Sequence, residues 1–209
     1  MKRGRGVAVG VALLLSACSH TEWVVSLKPP PQQPRAADYV DELKLWSRHC
    51  HIISDFDEAL TADATMHAPE FQDAFAAKWI DLYRLSTDDA AKKRAQLVSE
   101  IADVWEFHLE TQTHFYTIND FTQGRGIWRV TLVDDRGRAL TPADARQTLL
   151  KREVDVALYP YAGIFTTGWR LRFSRALPDG QPFVDEQTRW IALRIAGPPG
   201  SCDLKWLLR

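Results

Sequence analysis

Apolar positions from residue 38 onward recur first with a helical period and then with a period of two. Tyr39, Leu43, Trp46, Cys50 and Ile53 stand at i, i+4, i+7, i+11 and i+14. That spacing predicts a helix capped by Asp38 and running to about Ile53, with Asp41 and Glu42 near its positive end. Residues 56 to 66 place Phe56, Leu60, Ala62, Ala64 and Met66 on one side and read as a strand, although Ala and Asp are poor strand formers. Pro69-Glu70 opens a helix with the stripe Phe71, Phe75, Trp79, Leu82 and Tyr83. Ser86 or Thr87, followed by Asp88 and Asp89, opens another, with Leu97, Val98, Ile101, Val104 and Trp105 on its buried side. Together these two predict a helical hairpin.

The period shortens near Glu106. Phe107 and Leu109; Trp128, Val130 and Leu132; Trp169, Leu171 and Phe173; Ile191, Leu193 and Ile195; and Leu204, Trp206 and Leu208 alternate as half-buried strands. Turn chemistry separates them at Asp134-Asp135-Arg136-Gly137, Pro178-Asp179-Gly180 and Gly197-Pro198-Pro199-Gly200. The expectation is one α+β domain over 37–209. Residues 37–105 would be mainly helical, and 106–209 an antiparallel β-sandwich ending in a meander, with the immunoglobulin fold as one candidate.

Ahead of that domain, Lys2, Arg3 and Arg5 precede nine apolar residues, Val7 to Leu15. Nine residues are too few to cross a bilayer core of about 30 Å, so residues 1–17 read as an export signal. Leu15-Ser16-Ala17-Cys18 resembles the lipobox of bacterial lipoproteins, a branched aliphatic residue and two small residues before an invariant cysteine. The resemblance covers the first 18 residues and implies cleavage after Ala17, a diacylglycerol on the Cys18 thiol and an acylated amino group. The lipid bilayer is then the first partner, and Ser19 in place of Asp implies sorting to the outer membrane, facing the periplasm. Acyl chains contribute about 0.8 kcal/mol per buried CH₂, enough when several are present to hold a domain without a spanning helix. Residues 18–36 read as a tether, because the PPPQQP block favours extended polyproline II. Trp23 within it would lie at the lipid interface or pack on the domain. The landmarks Trp46-Ser47-Arg48, Tyr159-Pro160-Tyr161 and Trp169-Arg170-Leu171-Arg172-Phe173 are similar to those of small uncharacterised exported lipoproteins, which implies no functional residue.

Composition agrees with a globular exported protein. The 209 residues are 45% hydrophobic, 25% charged and 11% aromatic, which excludes disordered, collagen-like and multi-span membrane classes. The formal charge is -1; without Lys2, Arg3 and Arg5 it is 23 basic against 27 acidic residues, or -4, a balance with no pull toward nucleic acid. Of 3 Cys, setting Cys18 aside leaves Cys50 and Cys202. Both lie on apolar stripes, and an exported compartment lets such a pair form a disulfide.

Catalytic signatures are missing. There is no G-x-S-x-G, H-E-x-x-H, P-loop or C-x-x-C, and Gly124-Arg125-Gly126 lacks the third glycine of a dinucleotide site and reads as a loop. His49 and His51 flank Cys50, but two residues apart on a helix they diverge. On the strand from Glu106 the same-face set is Glu106, His108, Glu110, Gln112 and His114, which reads as a solvated face. No cofactor or metal is assigned. Arg170 and Arg172 alternate with Trp169, Leu171 and Phe173, and Arg194 lies on the next strand, so pairing of the two strands would make a basic patch suited to an envelope protein or anionic polymer. Tyr159, Tyr161, Phe165 and Trp169 would line a cleft or anchor the core. The reading is a membrane-anchored envelope lipoprotein with a non-catalytic binding or structural role. The alternative is an envelope hydrolase or metal-dependent enzyme using His108, Glu110 and His114.

Overall fold

The computed structural model describes residues 23–28, 39–122 and 124–209. Cys18, the signal and the PPPQQP block lie outside the described residues. Among the described residues the fold is mixed α+β, with four α-helices and two five-stranded sheets of antiparallel strands apart from one short parallel pair.

The first sheet is formed by β1 (Val24–Val25), β10 (Gly200–Leu208), β9 (Trp190–Gly197), β5 (Arg129–Asp134) and β6 (Ala139–Leu140), in that order. The second is β2 (Ser47–Ser54), β3 (Asp57–His67), β4 (Val104–Thr113), β8 (Thr167–Ser174) and β7 (Asp144–Gln147). The chain passes repeatedly between the sheets, so the expected terminal meander is absent: β8 and β9 follow each other in sequence but belong to different sheets. The consecutive run β2-β3-β4 also departs from the A-B-E-D and C-F-G orders of the immunoglobulin candidate. Phe107 of β4 packs on Trp206 of β10 with ring centroids 5.2 Å apart, and on Phe173 of β8, which places a shared apolar core against both sheets.

The helix expected from Asp38 to Ile53 is only α1, Tyr39–Trp46, and β2 follows it directly. Ser47 pairs with Thr65 and Ile52 with Leu60, so the backbone donors of 47–54 are spent on β3 rather than on a helix. Cys50 therefore lies on a strand. It is disulfide-bonded to Cys202, with Cα atoms 6.1 Å apart, and the bridge ties β2 of one sheet to β10 of the other. Arg48 Nε donates to the Lys205 carbonyl (2.7 Å) and Trp206 Nε1 to the Trp46 carbonyl (2.9 Å) along the same junction. A bridge closing a loop this long removes roughly 5 kcal/mol of unfolded-state entropy at most.

Two residues of the segment read as a tether are docked on the first sheet. Val24–Val25 runs parallel to Leu207–Leu208, and Val25 is buried in the core. Trp23 is exposed, and its carbonyl accepts from Arg48.

Two helices cover the polar face of the second sheet. α2 (Pro69–Tyr83) starts with Pro69 in its first turn and ends at Arg84, which has φ +48°. α3 (Thr87–Glu100) is capped by Ser86, whose hydroxyl accepts from the Asp89 amide. Asp73 pairs with Arg94, and Gln72 Nε2 donates to the Leu97 carbonyl, which joins the two helices. Leu82, Tyr83 and Val98, expected in the buried stripes, are exposed, and Val104 and Trp105 belong to β4. A short helix, α4 (Arg152–Leu158), precedes the Tyr159–Tyr161 segment. Gly126 sits where a Cβ would meet the Asp120 carbonyl oxygen at 1.7 Å, whereas Gly124 has open space around it and a φ of +77°; the segment is a loop, as expected.

Candidate functional site

The covered face of the second sheet carries polar residues in three cross-strand rows. His67, Glu106 and Arg172 form the first, Thr65, His108 and Arg170 the second, and Asp63, Glu110 and Gly168 the third. Alternation puts all of them opposite the apolar core. The expected solvated face is instead buried: Glu106, His108 and Glu110 are each 6% exposed or less. The reason is tertiary, since α2, α3 and the Tyr159–Tyr161 segment close over it.

The His67 and Glu106 end of this face is closed by hydrogen bonds. Arg172 Nε donates to Glu106 (2.5 Å). His67 Nδ1 lies 2.9 Å from Gln72 Oε1, and its Nε2 2.8 Å from the Tyr159 hydroxyl. The Leu97 carbonyl can only accept, so the Gln72 amide donates to it and Gln72 Oε1 accepts from His67 Nδ1–H, leaving Nε2 to accept from Tyr159. That arrangement is the one a neutral ring makes, and burial lowers the His67 pKa to about 4, which keeps the ring neutral at pH 7. Burial likewise raises the Tyr159 and Tyr161 hydroxyls well above their usual range.

The Tyr159 ring stacks flat on His108, with centroids 3.6 Å apart and planes within 3°. His108 Nε2 is 3.0 Å from Glu110 Oε1 and 3.8 Å from Asp155 Oδ1. The Thr166 hydroxyl donates to the other oxygen of Glu110 (2.5 Å). Two carboxyl groups therefore share one buried corner. Desolvation raises the pKa of Asp155 to about 6, and the neighbouring Glu110 charge adds to it. Glu110 is also pushed up by burial, but the His108 and Thr166 hydrogen bonds outweigh that and hold it below its ordinary value. On acidification Asp155 therefore takes up a proton before Glu110 does. Glycine is required beside them, because a Cβ at Gly168 would meet Glu110 Oε1 at 2.5 Å and Thr148 Cγ2 at 2.4 Å.

In front of His108 lies a cleft of about 340 Å³. Phe75, Trp79, Leu97 and Tyr159 give it apolar walls, and Arg170 enters from the sheet. Among the described residues Arg170 makes no ion pair, whereas Arg172 is matched to Glu106 and Arg146 to Asp144.

No protein-family model and no curated protein matches the chain in sequence. It is similar to the crystal structure of a protein of unknown function from Burkholderia pseudomallei, with 12% identity, 80% of each chain covered and a TM-score of 0.40. A likeness that distant assigns no function.

The structure brings together some of the residues that the sequence singled out and separates others. His108 and Glu110 meet, but His114 lies beyond them toward the strand end, 3.0 Å from Asp57 and half-exposed, so the set His108, Glu110 and His114 is not formed. Arg170 and Arg172 sit on β8 and Arg194 on β9 of the other sheet, where it pairs with Asp203, so no common basic face exists. Of the four aromatic candidates, Tyr159 lines the cleft and Tyr161 bonds the Thr65 hydroxyl. Trp169 is in the core, and Phe165 is exposed. His49 pairs with Asp63, the cross-strand neighbour of Glu110. Sequence reasoning missed Asp155 and His67. The spacing of Val154 and Leu158 is the signal that would have placed α4, and with it Asp155, against the sheet.

Proposed function

We propose that the chain is a lipid-anchored protein of the bacterial cell envelope, attached to the outer membrane through Cys18, with a non-catalytic binding role exercised at the cleft. The two sheets form a β-sandwich in this reading, and α2 with α3 is the helical hairpin that roofs its polar face. The carrying observation is Arg170, a cation without an ion-pair partner among the described residues, in the lining of an aromatic-walled cleft. Its volume falls within the usual range for small-molecule sites, roughly 300–1,000 Å³. A free guanidinium beside apolar walls suits a small amphipathic molecule bearing a carboxylate or phosphate. The separation of His114 from His108 and Glu110 removes the residue set on which the alternative, a metal-dependent enzyme, was expected to rest.

The test is native mass spectrometry of protein extracted from envelopes. An adduct of a few hundred daltons that carries an acidic group is expected. Arg170→Glu should lose it at unchanged melting temperature. Absence of any adduct on the unaltered protein, or an adduct indifferent to Arg170→Glu, rejects the cleft as the binding site.

A further inference from the structure

We propose that His108, Glu110 and Asp155 form a binding site for a divalent transition-metal ion, set behind the cleft wall between β4 and α4. This inference rests neither on the lipid anchor nor on the cleft ligand. His108 Nε2, a Glu110 oxygen and an Asp155 oxygen lie within 4.8 Å of one another. A zinc ion with bonds of about 2.0–2.2 Å in tetrahedral geometry needs donors roughly 3.3–3.5 Å apart. The separations of 3.0 Å and 3.8 Å from His108 Nε2 bracket that requirement.

An independent observation points into the same corner. Asp155, 8% exposed, has a buried Oδ1 with no hydrogen-bond partner, and that atom faces His108. A buried acceptor without a donor is unfavourable, and a bound cation removes that cost. The chemistry of the set agrees. One imidazole nitrogen with two carboxylates suits zinc, manganese or ferrous iron rather than the all-oxygen cage of calcium. The second row is already in place. Thr166 holds the far oxygen of Glu110, Tyr159 fixes the plane of the imidazole by stacking, and Gly168 leaves the space that any side chain would fill. The sequence offered His108 and Glu110; the structure replaces His114 by Asp155.

The experiment uses the full chain, purified in detergent without an affinity tag and stripped with chelator. Titration calorimetry with zinc should give one ion per chain, and cobalt(II) should develop visible d–d bands. Asp155→Asn, which keeps the shape and removes the charge, should weaken zinc by more than about tenfold and abolish the bands. Failure of the unaltered chain to bind either ion overturns the proposal, as does equal affinity in Asp155→Asn. Should that variant not fold, Thr166→Val keeps all three donors but frees Glu110, and a loss of about tenfold is expected. Unchanged affinity there is equally fatal.

Discussion

At position 67 the imidazole is held neutral by a relay that ends on a backbone carbonyl, and this has a pH consequence. The ordinary histidine pKa is near 6.5, and the folded value is about 4. Between the two, the unfolded chain binds a proton that the folded chain does not, so stability falls as pH drops through that window. From pH 7 to pH 5 the loss is roughly 2 kcal/mol. Asp155 acts oppositely, since a raised carboxyl pKa contributes stability at low pH that is lost as pH rises through about 6. The raw profile mixes both, so the measurement is the difference between the parent and His67→Gln in urea unfolding at the two pH values. The parent should lose the larger amount on acidification; parallel profiles would mean that His67 is charged in the fold. The sequence made Glu106, His108 and Glu110 legible as one face of a strand, because alternation needs only local spacing. It left their burial illegible, because the cover comes from α2 and from a segment some fifty residues later, and no local period encodes that.

Between β2 and β3 the connection is Asp55-Phe56, with φ of +52° and +67°. Two left-handed residues in a two-residue hairpin loop make the geometry that Asp-Gly or Asn-Gly satisfies best. Asp55 suits it, and Phe56 does not: its side chain is fully exposed and its Cβ is strained. Phe56→Gly should therefore raise stability by about 1 kcal/mol, read as a later urea midpoint at unchanged slope. An earlier midpoint would show that Phe56 makes contacts that stabilise the fold. The same turn explains why the predicted helix fails. Once 55–56 reverses the chain, Ser47 to Ser54 lies opposite Asp57 to Thr65 and pairs with it, and ladder formation overrides a spacing that is compatible with a helix. Elements bounded by strong signals, Pro69 for α2 and Ser86 for α3, were legible. α1 lacked a stop signal and α4 is too short for its period to stand out.

Across the whole molecule, the docking of Val24–Val25 beside β10 changes the meaning of the proposed anchor. A tether reaching to residue 36 would have let the domain roam far from the lipid. With Val25 in the core, a fixed point of the chain lies within a few residues of Trp23, which is five residues after Cys18. Five extended steps span at most roughly 18 Å, so an acylated Cys18 would keep the domain against the head groups. Among the described residues no helix is long and apolar enough to cross a membrane, and in the proposed reading acyl chains supply retention. Cys18→Ala should then convert the protein from one extracted only by detergent to one released with the soluble fraction, with the signal segment uncleaved or cut elsewhere. Because β1 and the Cys50–Cys202 bridge are untouched by that change, the melting temperature of the released domain should match that of the parent. A Cys18→Ala protein that still sediments with membranes would mean that the protein surface, rather than the lipid, carries the attachment. Intact mass of the parent separates that case from failed processing, since an acylated amino terminus is heavier than the bare polypeptide by the mass of its acyl and diacylglycerol groups.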